Sequence, residues 1–242
     1  MPYRVILPDN VAKGEQLPIV YLLHGGGGDF RDWSDYSDVA TLAARGVILV
    51  MPEGHSSYYT NAVDKPNDRY EDYIVRDLVT DVESRFPVEK ERSGRAIAGV
   101  SMGGFGAVKL ALAHPELFTL AAGLSPAVDV PSRPFSVKRI DQWRRFRSIF
   151  GPWQGNAQRK NDPFVLARTV DPAKTPYIFL TCGEQEGLLP SNRQFAALLG
   201  ERGFRYEFHT KPGGHDWNQW NGWVSTFTQI VLQHLRSSRN SG

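Results

Sequence analysis

Residues 99–103 read Gly-Val-Ser-Met-Gly, a G-x-S-x-G pattern set after a strand-like run at 95–100 and before a segment with helical spacing. A serine between glycines at such a junction needs a sharp, strained turn, because a Cβ on either flank would strike neighbouring backbone. The pattern restricts the chain to folds in which a strand feeds straight into a helix. Gly104 extends the run of small residues. Without that context the pentapeptide is equally compatible with an ordinary glycine-rich turn.

The rest of the chain supplies the context. Strand-like runs fall at 3–7, 19–23, 47–51, 95–100, 120–124, 177–181 and 205–210, with helical patterns between them from residue 18 onward. This alternation predicts an α/β fold of βα units feeding a mostly parallel central sheet flanked by helices. The clearest helix follows Asn67, where Ile74, Leu78, Val82 and Phe86 form an apolar stripe with a four-residue repeat. Gly46, Gly200 and Gly203 fall where helices should end ahead of a strand. The stretch 126–176 breaks this rhythm with prolines and the basic residues Lys138, Arg139, Arg144, Arg145 and Arg147. It reads as a small lid-like insertion over the active-site edge of one domain spanning 1–242, a length that suits a single α/β unit. Residues 236–242 have the composition of a flexible tail.

Composition excludes several function classes. Twenty-eight Lys and Arg against 26 Asp and Glu give a net charge of +2, too small a field for phosphate neutralisation, so nucleic acid is not expected as a partner. The single cysteine, Cys182, rules out an intrachain disulfide and zinc sites built on several thiolates, and as the end of a strand it reads as a small core residue. No metal or cofactor is called for. The apolar runs fall far short of the roughly 20 residues that span a bilayer, and the N-terminus lacks a charged segment leading into an apolar one. The expectation is a cytoplasmic protein that does not enter a membrane; its oligomeric state is not readable.

The loop after the strand at 19–23 is His24-Gly25-Gly26-Gly27-Gly28. It follows neither the G-x-G-x-x-G spacing nor a GK[ST] ending, which weakens a phosphate-binding reading. Its backbone N–H groups suit a developing oxyanion, with a second donor from Met102 at the start of the following helix. Serine needs a general base, and six histidines compete. His24 belongs to the glycine loop, and His55, His114, His209 and His234 lack a comparable setting. His215, in Pro212-Gly213-Gly214-His215-Asp216-Trp217 after the last strand, follows the serine–acid–histidine order. Asp216 adjoins the base and is assigned a structural role. The orienting acid should come from Cys182-Gly183-Glu184-Gln185-Glu186-Gly187, where Glu184 and Glu186 both remain open, since residues two apart in an extended chain share a side.

With Tyr21-Leu22-Leu23-His24-Gly25-Gly26, Gly99-Val100-Ser101-Met102-Gly103-Gly104, Asn161-Asp162-Pro163-Phe164, Cys182-Gly183 and Gly213-Gly214-His215-Asp216-Trp217, nearly the whole chain resembles the putative-esterase (esterase D) family of α/β-hydrolases. That family includes tributyrin and feruloyl esterases, S-formylglutathione hydrolases and the antigen 85 mycolyltransferases. The resemblance implies an α/β-hydrolase fold with Ser101 as nucleophile, His215 as base, Glu186 as acid, and Gly26 and Met102 as backbone oxyanion donors. The family usually has aspartate where Glu186 stands, and usually a further strand before the segment at 3–7, which implies a trimmed sheet edge.

The implied activity is serine carboxylester hydrolysis of short-chain acyl or aryl esters through an acyl-enzyme. Acyl transfer to an alcohol, as in the mycolyltransferases, is the alternative. S-formylglutathione hydrolysis ranks lower because those enzymes are longer and differ in the glycine loop. A non-catalytic binding module on the same scaffold follows if Glu186 is misplaced. Tyr58 and Tyr59, Trp153 and the insertion are the expected walls of the substrate pocket.

Overall fold

Continuous apolar runs, rather than alternating ones, mark strands covered on both faces. The computed structural model, which describes residues 1–133 and 137–239, bears this out in β2 (Ile19–Leu23), β3 (Ile48–Pro52), β4 (Arg95–Val100) and β5 (Leu120–Leu124), every residue of which is buried. With β1 (Tyr3–Ile6), β6 (Tyr177–Gly183) and β7 (Tyr206–Lys211) they form one sheet in the order β1-β3-β2-β4-β5-β6-β7. All neighbours are parallel except β1, which runs antiparallel to β3 at one edge. The two edge strands, β1 and β7, are only half-buried. This is an α/β-hydrolase fold.

Successive residues of a strand serve opposite layers. Val20 and Leu22 pack with Trp33, Phe227 and Val231 on one face, where the helix Val224–Arg239 lies. Ile19, Tyr21 and Leu23 pack with Ile74, Leu78 and Leu110 on the other, beneath the helix Met102–Ala113.

The structure adjusts several expectations. The helix after Asn67 contains a π-helical stretch, Tyr73–Leu78, followed by α-helix over Val79–Arg85. A strict four-residue repeat drifts about 40° per step around an α-helix, and the wider π turn reduces that drift. Ile74, Leu78 and Val82 are accordingly buried in one cluster, with Phe86 packed at its margin. Strand β6 runs to Gly183 because Cys182 and Gly183 pair with Thr210 and Lys211. The last helix continues to Arg239, through most of the segment expected as a tail; 240–242, like 134–136 of the insertion, lie outside the described residues. Among the described residues no helix is long and apolar enough to cross a membrane, and no cluster of His, Cys, Asp or Glu is placed to hold a metal.

One ion cluster lies beneath the helix Met102–Ala113. Lys109 is fully buried, and its Nζ donates to the Tyr59 carbonyl at 2.8 Å and to Glu71 Oε2 at 2.7 Å. His114 Nε2 meets the other Glu71 oxygen at 2.8 Å. Burial works to raise the Glu71 carboxyl, but Lys109 and His114 outweigh it and hold the group down at about 2. A carboxyl depressed in the folded state stabilises it above the unfolded value, about 4.3, and that contribution is lost as pH falls through the folded value. Glu71→Gln leaves the Lys109 ammonium buried without its counter-charge. The expected loss at pH 7 is about 3 kcal/mol, read as a lower urea midpoint, and the gap to the parent should narrow as pH falls from about 4.5 towards 2. An unchanged midpoint at pH 7 would contradict it.

Candidate active site

The strand-to-helix junction has the geometry that its glycines imply. Ser101 sits at φ +54° and ψ −111°, between β4 and the helix Met102–Ala113. A Cβ on Gly99 would lie 2.2 Å from the Gly103 carbonyl carbon, and one on Gly103 would lie 2.1 Å from the Leu23 carbonyl oxygen. Both positions therefore exclude any side chain. The turn is pinned to its neighbours, since the Ser101 N–H donates to Leu124 O at 2.9 Å and Ala127 N–H donates to Ser101 O at 3.1 Å. Met102, the first helical residue, has no intrahelical acceptor for its N–H.

The glycine loop closes against this turn. Gly28 N–H bonds Gly25 O at 3.3 Å, and Gly27 takes φ +84°. A Cβ on Gly25 would lie 3.7 Å from Ser101 Cβ, and one on Gly26 would lie 3.9 Å from Met102 Cβ. The backbone of residues 25–26 thus borders the serine. His24 is buried and turned away from it: Nδ1 meets Gly25 O at 2.7 Å, while Nε2 accepts from Gly54 N–H at 2.9 Å.

Loops at the ends of β6 and β7 bring two more groups to the serine. After Gly183 the chain turns back, with Glu186 N–H on Gly183 O at 3.2 Å. Glu186 Oε1 then accepts from Gly183 N–H at 2.7 Å and from Ser125 Oγ at 2.6 Å. Its Oε2 lies 2.7 Å from His215 Nδ1, and His215 Nε2 lies 2.8 Å from Ser101 Oγ. The Glu186 side chain is fully buried whereas that of His215 is 38% exposed, so the carboxylate is shielded and the imidazole faces the opening. A carboxylate only accepts, which puts the imidazole proton on Nδ1 and leaves the Nε2 lone pair for the serine hydroxyl.

The turn also separates the two glutamates. Glu184 is exposed and takes a 3.3 Å bond from Thr210 Oγ1, while Asp216 caps a helix by accepting from Gln219 N–H at 3.0 Å. Two participants have no local signature in the sequence. Ser125, at φ +49°, donates to Glu186 and accepts from Trp220 Nε1–H at 3.1 Å. The Trp220 ring stands edge-on to His215 with centroids 5.0 Å apart. Cys182, though close in sequence, is buried, and burial together with Glu186 pushes its thiol up to about 12, which leaves it inert.

A cavity of about 750 Å3 opens on Ser101 and His215, walled by Tyr58, Trp143 and Phe146 with Arg133 and Arg139 at its polar side. The insertion supplies most of that wall. Two expected lining residues are elsewhere. Tyr59 is fully buried beneath the site, clamped where a Cβ on Gly54 or Gly106 would come within 2.3 or 2.6 Å of its ring. Its hydroxyl donates to the His24 carbonyl at 3.0 Å. Tyr58 and Tyr59 both take positive φ, 55° and 50°, with His55 at 43°, and of the two rings only that of Tyr58 reaches the cavity. Trp153 is 51% exposed and borders a separate space of about 30 Å3, because the chain turns at Gly151 (φ +77°) after the helix Ile140–Phe150.

Known proteins resemble this chain in sequence and in fold. A family model described as putative esterase matches residues 1–234. An acetyl esterase of Caldicellulosiruptor saccharolyticus is 27% identical over 218 residues, covering 87% of this chain and 82% of its own length. An esterase of Mycobacterium tuberculosis is 30% identical over 242 residues; the match takes in 87% of this chain but only 51% of that relative. Among solved structures, the substrate-bound fluorophosphonate-binding serine hydrolase F of Staphylococcus aureus superposes with a TM-score of 0.79 at 25% identity, over 96% of this chain and 91% of that one.

Proposed function

The chain belongs to the putative esterase family and is a carboxylic ester hydrolase, and from that premise we propose that Ser101, His215 and Glu186 are its catalytic triad, acting on short-chain acyl or aryl esters. The observation that carries the reading is the unbroken relay from Ser101 Oγ through His215 to Glu186, with links of 2.8 and 2.7 Å, at the mouth of a cavity.

In this mechanism Ser101 Oγ attacks the ester carbonyl while His215 Nε2 takes its proton. Glu186 holds the imidazole by Nδ1–H and stabilises the imidazolium that forms. Charge developing on the carbonyl oxygen is met by the N–H groups of Gly26 and Met102, a preorganised pair needing no rearrangement as the charge appears. Collapse of the tetrahedral intermediate expels the alcohol, which takes the proton from His215, and leaves Ser101 acylated. Water, deprotonated by the same nitrogen, then releases the acid. The aromatic wall of Tyr58, Trp143 and Phe146 suits an aryl or short aliphatic group, and an acetyl esterase among the relatives supports small acyl chains.

A panel of p-nitrophenyl esters graded in acyl length, run with and without an added acceptor alcohol, tests the reading. Free acid as main product in both conditions, with kcat/KM falling as the acyl chain lengthens, is expected. Predominant transfer to the alcohol would replace hydrolysis by acyl transfer, and a rate rising steadily with chain length would remove the short-chain assignment. A fluorophosphonate probe should label the parent protein at Ser101; failure to label would reassign it as an inactive scaffold.

A further inference from the structure

The helix Ile140–Phe150 presents one face to the cavity. Arg139, Gln142, Trp143 and Phe146 fall at i, i+3, i+4 and i+7, and all four line it. The stripe has a direction. Phe146 packs edge-on against Tyr58 with centroids 5.4 Å apart, and Tyr58 against Phe105 at 5.7 Å. Phe105 donates its N–H to the Ser101 carbonyl, so the Phe146 end is the end beside the serine. Arg139 stands seven residues away, about 10 Å at helical rise.

The basic residues of this region have different employment. Arg133 forks onto Asp129 through two bonds of 2.8 Å, which neutralises the acid in the cavity lining. Arg144 faces Asp141 at 3.5 Å, Arg145 donates to the Ser56 carbonyl at 2.9 Å, and the Arg147 guanidinium covers the Trp143 ring at 5.8 Å. Of the arginines that line the cavity, Arg139 alone has no hydrogen-bond or ion-pair partner among the described residues. With Arg133 and Asp129 cancelling, Arg139 is the one uncompensated cation of the wall among the described residues. It lies at the far end of an aromatic track that starts at the nucleophile.

We propose that Arg139 determines specificity by pairing with a carboxylate on the substrate, so that the preferred esters are anionic ones whose charged group is remote from the scissile carbonyl. The guanidinium fork matches a carboxylate bidentately, while the aromatic wall takes the apolar span between. The inference rests on Ser101 as the nucleophile. The charged group can belong to the acyl side or to the leaving alcohol, and two matched pairs separate these sources. On the acyl side, p-nitrophenyl hemiglutarate is compared with p-nitrophenyl valerate; on the alcohol side, 4-acetoxybenzoate with 4-acetoxybenzamide.

In at least one pair the parent enzyme should favour the anionic ester, and added salt should shrink that preference. Arg139→Gln should lower kcat/KM for that ester about tenfold, mainly through KM, while changing the neutral partner less than about twofold. Arg144→Gln, outside the cavity, should leave both unchanged. The pair that responds identifies the side carrying the charge. An Arg139→Gln effect equal on charged and neutral esters, or absent from both pairs, overturns the inference. The Ser101 reading is judged separately by the hydrolysis of the neutral esters: if Ser101→Ala abolishes it and Arg139→Gln is silent, only the specificity assignment falls.

Discussion

Ser101→Ala is expected to lower ester hydrolysis on the order of a million-fold, with the protein still folded, because losing the nucleophile of a serine triad is about as damaging as losing the whole triad. The structure makes this substitution unusually clean. Ser101 holds its turn through backbone bonds to Leu124, Phe105 and Ala127, none of which involves Oγ. Alanine meets the same steric limits at φ +54° as serine, so the turn and the cavity should persist. What disappears is the atom 2.8 Å from His215 Nε2. The check is kcat on p-nitrophenyl acetate, with circular dichroism and urea midpoint as evidence of folding. A folded variant retaining more than a small fraction of parental activity would remove Ser101 from the mechanism.

Glu186→Gln should lower kcat on the order of ten-thousand-fold, and the hydrogen bonds around the carboxylate say why an isosteric change is so damaging. Oε1 receives two donors, Gly183 N–H and Ser125 Oγ–H. An amide at this position keeps its oxygen where those donors are, which turns its NH2 towards His215 Nδ1. Two donors cannot face each other, so the imidazole shifts its proton to Nε2 and loses the lone pair that accepts from Ser101. Glu184→Gln, in an exposed side chain bonded only to Thr210 among the described residues, should retain most of the activity. Activity is measured on both variants after circular dichroism shows them folded. The reverse ranking would transfer the acid role to Glu184.

The parts of this site that were readable in the sequence are those whose requirements are local. Four central strands are apolar but for Arg95 at the start of β4 because helices cover both faces, and the glycines flanking Ser101 are forced by contacts with the turn and the adjoining strand end at Leu23. His215 was isolated by its place after the last strand. Glu186 and Glu184 could not be separated by periodicity, because their difference arises from a turn after Gly183 that ends the alternation of sides. Tyr58 and Tyr59 are a second such case: adjacent aromatics with similar backbone angles, one in the cavity wall and one beneath the glycine loop. Ser125 and Trp220 were invisible for another reason. They act through partners 61 and 95 residues distant, and only the sheet order brings them there.

The positive-φ conformations of Tyr58, Tyr59, Ser101 and Ser125, four of the six that residues other than glycine take among the described residues, bear on how such a protein can evolve. Each holds a residue other than glycine in a region that costs of order 1–3 kcal/mol, and these four lie beneath the glycine loop, at the Ser101 turn, beside Glu186 or in the cavity wall. Some of the free energy that could harden this fold is therefore held as strain around the candidate site. Relaxing it is the simplest route to heat resistance, and the same change dismantles the chemistry. Lineages adapting to high temperature should accordingly gain their stability in the outer helices and edge strands, leaving these four backbone positions unrelaxed.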